Sequence, residues 1–252
     1  MKKLSICIST FNRAKFIEKT LSTIVPQLSE QVELIIVDGA SSDNTNDIVN
    51  RYVKKNKFIK YFKELKNSGV DGDYDKAVSY SEGEFCWLMT DDDFLKPNAI
   101  DNVLAKIKKT VDLIIVNSKV MNHDFSKTLS KNQLNIYKDL KYSKNGKNYF
   151  PIIGAYLSFI GCVVIRRNLW LLRNRKSYYG TTFIHVGIIC QTPPIENIYV
   201  ISDPLIIIRY GNAMWSSNAF NVWNLMWPRL IWSFDSFSNK DKIKVCRQFP
   251  YA

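Results

Sequence analysis

Three consecutive acids, Asp91, Asp92 and Asp93, follow directly on an apolar run at residues 85–89. A run of strand length without polar alternation is typical of a strand buried on both faces of a parallel sheet. Open α/β sheets bind ligands beyond the carboxyl ends of their strands, which is where these acids fall. Adjacent carboxylates raise each other's pKa values unless a cation lies among them. The stretch therefore predicts a site for Mg²⁺ or Mn²⁺, which favour oxygen ligands and share them with phosphates.

A solvated acidic turn that caps the next helix would account for the same acids without any ligand. A second strand end favours the ligand site, because the apolar run at residues 32–37 also stops at an acid, Asp38. The residues after Asp38 include Gly, Ser and Asn, which are typical of loops and helix N-caps. The carboxyl ends of parallel strands lie at one edge of a sheet, so both acidic clusters are expected there.

Apolar runs and helical patterns alternate along the chain, which predicts an α/β fold with a mostly parallel central sheet flanked by helices. Strands are expected at residues 4–8, 32–37, 58–62, 85–89, 111–118, 159–165 and 201–209, and helices at 14–28, 48–55 and 77–81. Residues 126–148 carry six lysines and one acid, which indicates a surface segment and a candidate lid. Arg209 ends the last strand. Its guanidinium is expected either to hold a diphosphate at the same edge as the acids or to form a surface ion pair.

Composition excludes several classes of protein. Hydrophobic residues make up 46% of the 252 positions, which is enough for a large core, and no segment has the composition of disorder. The five cysteines are scattered, which indicates buried, reduced thiols in a cytoplasmic protein. Two histidines are too few for a His-based metal cage. The short apolar run near the N-terminus is expected to be the first strand and not a signal peptide.

The net charge of +12 is concentrated in the second half of the chain, where residues 120–252 contain 17 basic and 6 acidic side chains. Such an excess indicates an anionic partner, either a nucleic acid or the surface of an anionic membrane. RNA-binding modules present stacking aromatic residues on sheet faces, whereas the polar residues of this chain collect at strand ends. We therefore expect no nucleic-acid partner and favour the membrane surface.

Three segments together resemble glycosyltransferase family 2: ISTFNR at 8–13, IVDGASSDNT at 36–45 and GEFCWLMTDDDFL at 83–95. The resemblance implies a GT-A fold, with a Rossmann-like nucleotide-sugar-binding half over residues 1–119 and an acceptor-binding half over residues 120–218. More narrowly, GVDGDYDKAV at 69–78 and CWLMTDDDFLKP at 86–97 are similar to abequosyltransferases. This implies transfer of a 3,6-dideoxyhexose from a CDP donor to a lipid-linked O-antigen oligosaccharide. The implied location is cytoplasmic and peripheral, on the inner face of a bacterial plasma membrane.

The resemblance also implies roles for particular residues. Asp93 is expected to be catalytic and to ligate Mn²⁺ or Mg²⁺ together with Asp91. The base, ribose and diphosphate of the donor are expected to contact Thr10, Arg13, Asp38, Asp71, Lys76, Asp91, Asp92 and Arg209. The acceptor is expected to contact Asn212 and Trp215.

Two departures from the family pattern bear on the mechanism. Many members carry Ala-Arg-Asn where residues 73–75 of this chain are Asp-Tyr-Asp, so Lys76 is the nearest replacement for the missing arginine. No acid occurs between residues 139 and 196, where inverting members place a catalytic carboxylate, and only His185 is available locally. His185 is therefore the candidate catalytic residue, as a base or as a metal ligand. The resemblance to abequosyltransferases implies an α-linked product from an α-linked donor, which requires retention, so we expect His185 to orient a ligand or the metal and not to take the acceptor proton. A buried histidine bonded to the backbone is the simpler interpretation of the same residue.

The C-terminal segment, residues 219–252, is rich in aromatic and basic side chains. Trp223, Trp227, Ile231 and Phe234 recur at helical spacing and form one face, which fits either a membrane interface or packing on the domain core.

Two other kinds of enzyme provide alternatives. A nucleotidylyltransferase is disfavoured because the motif after the first strand lacks the glycines that such enzymes need. An inverting family 2 glycosyltransferase that uses a UDP or dTDP sugar stays open.

Overall fold

A ten-stranded, mostly parallel β-sheet runs through the middle of the molecule. The computed structural model describes residues 2–143, 148–212 and 214–250, with the backbone but not the side chain of Trp215. The strands in this part of the chain are β1 (Leu4–Thr10), β2 (Val32–Asp38), β3 (Ile59–Lys63), β4 (Phe85–Met89), β5 (Phe94–Leu95), β6 (Leu113–Met121), β7 (Thr128–Ser130), β8 (Leu140–Tyr142), β9 (Val163–Arg166) and β10 (Ile198–Arg209).

The strands lie in the order β3–β2–β1–β4–β9–β6–β10–β5, with β7 beside β6 and β8 beside β10. The pairs β3–β2, β2–β1, β1–β4 and β6–β10 are parallel, and β9 is antiparallel to both β4 and β6. The strands β1, β2, β3, β4, β6 and β10 therefore all run in one direction. This arrangement confirms the α/β fold class, and it brings the strand ends that carry Asp38 and the triple acid to one edge.

Helices cover both faces of the sheet. Those in the described part of the chain are α1 (Ala14–Ile24), α2 (Thr45–Val53), α3 (Gly69–Tyr80), α4 (Ala99–Leu104), α5 (Phe150–Ile153), α6 (Arg167–Leu172), α7 (Ile184–Cys190), α8 (Ala219–Asn221), α9 (Trp227–Trp232) and α10 (Asn239–Val245). Successive side chains of a strand point to opposite faces, so Ile6 and Ile8 of β1 pack in the core under α1, α2 and α4. Cys7 packs in the second core, with α3, α5, α7 and α9.

α3 begins at Gly69, eight residues before the helix that the pattern predicts, so the expected boundary is wrong. Residues 69–75 of α3 contain three acids, which indicate a loop when only the sequence is considered. Each acid is buried. The cost of burying it is offset by hydrogen bonds that it accepts from another side chain or from backbone N–H groups. The donors are the backbone N–H groups of Thr182 and Ile184 for Asp71, the hydroxyl of Ser68 for Asp73, and the side chains of Trp170, Arg175 and Tyr179 for Asp75.

The described residues of the lysine-rich stretch, 126–143 and 148, do not form a separate lid. Its first part contains β7, which pairs with the distal end of β6, and its second part contains β8, which pairs with β10. Residues 144–147 lie outside the described part of the chain.

The aromatic face of the C-terminal segment packs inward. α8, a π-helical turn (Val222–Met226) and α9 follow one another without interruption. Trp227, Ile231 and Phe234 are buried in the core that contains α3 and α7, and Trp223 is 37% exposed. Core packing is therefore the correct alternative for three of the four residues, and the membrane-interface alternative is wrong for them. None of the described helices has the length and apolar character needed to cross a bilayer.

Candidate active site

A cavity of about 790 Å³ lies at the carboxyl ends of β1, β4 and β10, and its size suits a small-molecule ligand. This is the edge at which an open α/β sheet binds its ligand. Two parts of the lining differ in chemistry. We call Arg13, Asp91, Asp92, Asp93 and Arg209 the charged wall, and Phe159, Ile160, Phe183, Val222 and Trp223 the apolar wall.

Asp93 is held by two strands and a turn. β5 pairs antiparallel with β10, which brings Asp93 beside Arg209 although 116 positions separate them. The Oδ1 atom of Asp93 accepts a hydrogen bond of 2.7 Å from the backbone N–H of Arg209, and Oδ2 accepts one of 2.5 Å from the Thr90 hydroxyl. Burial, followed by the neighbouring Asp92 carboxylate, raises the pKa of Asp93 well above its ordinary value. Additional positive charge would therefore stabilise the ionised form.

Arg13 bridges the other two carboxylates of the triple acid. Its Nε atom donates to Asp91 at 3.1 Å, its Nη2 atom donates to Asp92, and its guanidinium lies 4.4 Å from the centre of the Phe16 ring. The amide of Asn212 also donates to Asp92, at 2.7 Å. Burial raises the pKa of Asp91 to about 7, with a further contribution from the charge of Asp92 and an opposing one from Arg13.

Arg209 supplies the second guanidinium of the charged wall. Its Nε and Nη1 atoms donate to the backbone carbonyls of Asp92 and His123, at 3.2 and 2.8 Å. The guanidinium also lies 4.3 Å from the centre of the Phe125 ring. Its Nη2 atom is buried and has no hydrogen-bond partner in the described part of the chain. A buried N–H without a partner costs free energy, so this atom is a suitable donor to an anionic ligand.

The charged wall fits a divalent cation that is shared with phosphate. Three carboxylates face two guanidiniums, which leaves net negative charge when all of them are ionised. Among the described residues, no three His, Cys, Asp or Glu side chains converge into a closed metal cage. Mg²⁺ at nucleotide sites usually takes only one or two carboxylates and completes its shell with phosphate and water. Asp91 and Asp93, whose pKa values are raised, fit such a partial ligand set.

His185 lies in the first turn of α7 and contributes to the cavity lining. The side chain is 1% exposed, and its Nε2 atom lies 2.7 Å from the carbonyl oxygen of Leu157. A carbonyl can only accept, so Nε2 carries the proton and Nδ1 has a free lone pair. Nδ1 has no partner among the described residues. Burial lowers the pKa of His185 to about 4, so the ring is neutral at pH 7.

A match to a known family model settles the class of this protein. The model described as "Glycosyl transferase family 2" matches residues 5–170, which is more than half of the chain. The chain belongs to this family. The triple acid, the Asp38 motif and the segment after β1 all fall inside the matched region, and the protein is a glycosyltransferase.

Two relatives illustrate the range of the family. Abequosyltransferase RfbV of Salmonella typhimurium is 25% identical over 223 residues, which are 83% of this chain and 67% of that protein. The GalNAc(5)-diNAcBac-PP-undecaprenol beta-1,3-glucosyltransferase of Campylobacter jejuni is 29% identical over 159 residues. Those residues are 60% of this chain and 52% of the relative, so the chain spans about half of the second protein's length.

Solved structures confirm the GT-A fold of this glycosyltransferase. TarS of S. aureus, residues 1–349 in complex with UDP, superposes with a TM-score of 0.67 and 18% identity. The alignment covers 96% of this chain and 69% of the TarS chain of residues 1–349. The mannosyltransferase PcManGT of Pyrobaculum calidifontis, in complex with GDP-Man and Mn²⁺, has the same TM-score at 14% identity. This second alignment covers 96% of this chain and 67% of the PcManGT chain.

Two residues that the sequence assigns to the donor lie at strand ends beneath the cavity. Thr10 and Asp38 are paired in the register of β1 and β2, and both are buried. The carboxylate of Asp38 accepts hydrogen bonds from the Tyr61 hydroxyl at 2.5 Å and from the backbone N–H of Ser41 at 2.7 Å. Neither residue belongs to the cavity lining in the described part of the glycosyltransferase.

Two other residues expected to contact the donor have hydrogen-bond partners within the protein. Lys76 lies 2.7 Å from Glu64 and 2.9 Å from the Ser68 hydroxyl, and it does not line the cavity in the described structure. Asp71 accepts hydrogen bonds from the backbone N–H groups of Thr182 and Ile184 at 2.8 and 3.0 Å. Asp71 therefore fixes the start of α7 and, through it, the position of His185.

The residues expected to bind the acceptor have different outcomes. Asn212 lines the cavity and donates to Asp92, so it lies against the charged wall. The side chain of Trp215 lies outside the described part of the chain.

Several lining residues were not assigned to the site from the sequence. Tyr74 takes the position of the family's arginine, and its hydroxyl donates to the backbone carbonyl of Met89 at 3.0 Å. In the sequence, Trp223 is only one member of an aromatic face; in the structure its ring centre lies 6.0 Å from that of Phe183. The aromatic run is therefore the sequence signal for Trp223. Phe183 and Phe159 have no comparable signal, because isolated aromatic residues are usual in cores.

Proposed function

We propose that this glycosyltransferase moves a 3,6-dideoxyhexose such as abequose from a CDP donor to a lipid-linked O-antigen oligosaccharide, with Mn²⁺ or Mg²⁺ and with retention. The observation that carries the nucleotide-sugar part is the charged wall at the ends of β4 and β10. The similarity to abequosyltransferase RfbV supports the sugar and the acceptor. The neighbour in complex with GDP-Man and Mn²⁺ supports the donor class and the cation.

The charged wall would receive the donor's diphosphate. The unpartnered Nη2 atom of Arg209 offers an N–H to a phosphate oxygen. Arg13 holds the carboxylates of Asp91 and Asp92 in fixed orientations beside that space. A cation held by Asp91 and Asp93 would neutralise negative charge on the departing nucleoside diphosphate. These groups are oriented before the ligand arrives, so little reorganisation is needed during the reaction.

The apolar wall supports a sugar with few hydroxyl groups. A 3,6-dideoxyhexose lacks the hydroxyls at C3 and C6, and its ring carbons pack well against aromatic side chains such as Phe183 and Trp223. A hydroxyl buried there without a partner would cost about 1–3 kcal/mol. A fully hydroxylated hexose is therefore expected to bind less well than the dideoxy sugar.

His185 would orient a sugar hydroxyl and would not act as the catalytic base. The lone pair of Nδ1 has no protein partner in the described structure, so it is a ready acceptor for one O–H group. A pKa of about 4 makes the ring a weak base at neutral pH. With retention, the acceptor oxygen attacks from the face of the leaving group. The bond from C1 to the phosphate oxygen breaks, the new C1–O bond forms, and the acceptor proton passes to that phosphate oxygen.

The acceptor would enter beside Asn212 and Trp215, and the enzyme would work at the inner face of the plasma membrane. The relative from Campylobacter jejuni is named for a substrate carried on PP-undecaprenol, which supports a lipid-linked acceptor. The excess of basic residues after position 119 supports attraction to anionic lipid. The buried face of α9 makes no contribution to this proposal.

The test is a donor panel of CDP-abequose, UDP-GlcNAc, dTDP-rhamnose and GDP-mannose with Mn²⁺ and a lipid-linked acceptor. Proton NMR of the first product would report its anomeric configuration. We expect turnover with CDP-abequose above the other donors and an α-linked product. A β-linked product from the α donor would contradict retention, and turnover only with UDP or dTDP sugars would contradict the CDP donor. Those results would favour the second candidate, an inverting family 2 enzyme of surface polysaccharide synthesis.

A further inference from the structure

Asp73 is a buried carboxylate in the cavity lining to which neither the sequence nor the comparisons assign a role. It lies in the second turn of α3 and is only 2% exposed. Its Oδ1 atom accepts a 2.5 Å hydrogen bond from the Ser68 hydroxyl, and Lys76 lies 3.8 Å away on the same side. Its Oδ2 atom accepts no hydrogen bond from the described residues. One of the two oxygens is therefore available to a donor group in the cavity.

Gly39 leaves room for that free oxygen. A Cβ atom at position 39 would lie 2.6 Å from Asp73 Oδ2, closer than real Cβ contacts occur, so any larger residue would displace the carboxylate. Asn67 closes the same corner, with its Oδ1 atom 3.4 Å from that Cβ position. This Oδ1 accepts from the backbone N–H of Gly69 at 2.7 Å, which leaves the amide N–H groups of Asn67 as donors. The corner thus pairs one acceptor with one donor.

The corner lies at a distance from the charged wall that suits a nucleoside. Gly39 follows β2, whereas Asp91–Asp93 follow β4, and β1 separates these two strands. Two strand spacings amount to about 10 Å, comparable to the reach from a base to its diphosphate. The diphosphate belongs at the charged wall, where the two guanidiniums and the proposed cation offset the carboxylates, and this places the base at Asp73. Burial raises the pKa of Asp73, as expected for a negative charge that the protein compensates only in part.

We infer that Asp73, through Oδ2, accepts a hydrogen bond from an N–H group of the donor's nucleobase and so determines which nucleotide is used. The inference rests on the proposed function, because it assumes a nucleotide sugar in this cavity. Cytosine, uracil and guanine each present an N–H next to an acceptor, which complements the pair formed by Asp73 and Asn67. With the proposed CDP donor, the group is the N4 amino group of cytosine.

A double-mutant cycle on the ligand and the protein tests this contact. Calorimetry with CDP, UDP and GDP first identifies the preferred base. The same diphosphate with that base methylated at its N–H (N4,N4-dimethyl-CDP for cytosine) is then measured against wild type and Asp73→Ala. We expect the methyl groups to weaken binding to wild type by about tenfold or more, the usual cost of one lost buried hydrogen bond. Asp73→Ala should bind both nucleotides equally, because the partner is already gone.

Gly39→Ala tests the geometry without removing the carboxylate. The added Cβ should displace Oδ2 and lower affinity for the preferred nucleotide, and it should have no further effect in the Asp73→Ala background. Asp75→Asn is the matched control, because it changes a buried acid of the same helix that binds Trp170 outside the cavity. We expect it to keep the wild-type preference among bases. Thermal melting of every variant separates loss of folding from loss of binding.

Two results would contradict different claims. If wild type binds no nucleoside diphosphate, the proposed function fails and the role of Asp73 fails with it. If wild type binds CDP but Asp73→Ala still discriminates against the methylated base, the proposed function stands and the contact with Asp73 is wrong. Should Asp73→Ala fail to fold, Gly39→Ala decides, because unchanged base preference in that variant overturns the inference.

Discussion

The two walls of the cavity achieve order by different physical means. The charged wall is held by directional bonds, since Asp93 is fixed by Thr90 and Arg209, and Arg13 spans the other two carboxylates. The apolar wall is held by packing. The Nδ1 atom of His185, which has no partner among the described residues, belongs to the same cavity lining. Hydrogen bonds hold the charged groups of one wall in fixed orientations, whereas the packed wall selects ligands by their shape and by the absence of hydroxyl groups. Diphosphate binding and sugar selection are therefore expected to fail independently.

The largest expected effect is on the charged wall. Asp93→Ala should lower turnover by at least about 10²-fold, comparable to the loss of one preorganised electrostatic group. The measurement is kcat at saturating donor and Mn²⁺, with Asp101→Ala as control because that acid is exposed on α4. Activity within a few-fold of wild type would remove Asp93 from the proposed mechanism.

The second prediction separates a structural acid from the donor-binding acids. Asp71→Ala should lower the free energy of unfolding by about 1–3 kcal/mol, because the backbone N–H groups of Thr182 and Ile184 lose their buried acceptor. Urea denaturation measures this loss, and Asp47→Ala on the exposed face of α2 should change stability little. If Asp71→Ala instead abolishes CDP binding in a fully folded protein, Asp71 contacts the donor as the family resemblance implies.

The third prediction concerns the apolar wall. Trp223→Ala should raise the KM for the donor sugar about tenfold, through lost ring packing, and leave the affinity for free CDP near the wild-type value. Trp232→Ala is a matched control, because its indole donates to the carbonyl of Gln248 and is not part of the cavity lining. Equal losses of affinity for the sugar nucleotide and for CDP would show that the two walls do not act independently.

The last prediction is a pH dependence of stability from His185. Its pKa is about 4 in the folded protein, against an ordinary value of 6.5, so the unfolded chain binds more protons between these values. The contribution of neutral His185 to the free energy of unfolding is therefore fully present above pH 6.5. It is lost as the pH falls towards 4, by at most about 1.4 kcal/mol per pH unit. Denaturation at pH 4.5 and 7 should show a smaller difference for His185→Gln. An unchanged difference would assign the acid sensitivity to other groups.

The sequence by itself determined the fold class and the centre of the site. Uninterrupted apolar runs such as residues 85–89 are typical of strands buried on both faces, and the alternation of strands with helices indicates parallel strands whose acidic ends lie at one sheet edge. That reasoning uses only the order and composition of neighbouring segments. The family followed from the segments at residues 8–13, 36–45 and 83–95, two of which carry these acids. The family and the GT-A fold that it implies are both confirmed.

Only the tertiary structure decided which surfaces meet. Helical spacing showed that Trp227, Ile231 and Phe234 share a face, but periodicity cannot tell whether a core or a membrane covers that face. The acids of α3 indicate a loop in the sequence, because the partners that compensate the burial of Asp71 and Asp75 lie about 95 or more positions away. The contact of Asp93 with Arg209 depends on the antiparallel pairing of β5 with β10. Such contacts between distant residues leave no local pattern, because each depends on how separate elements pack.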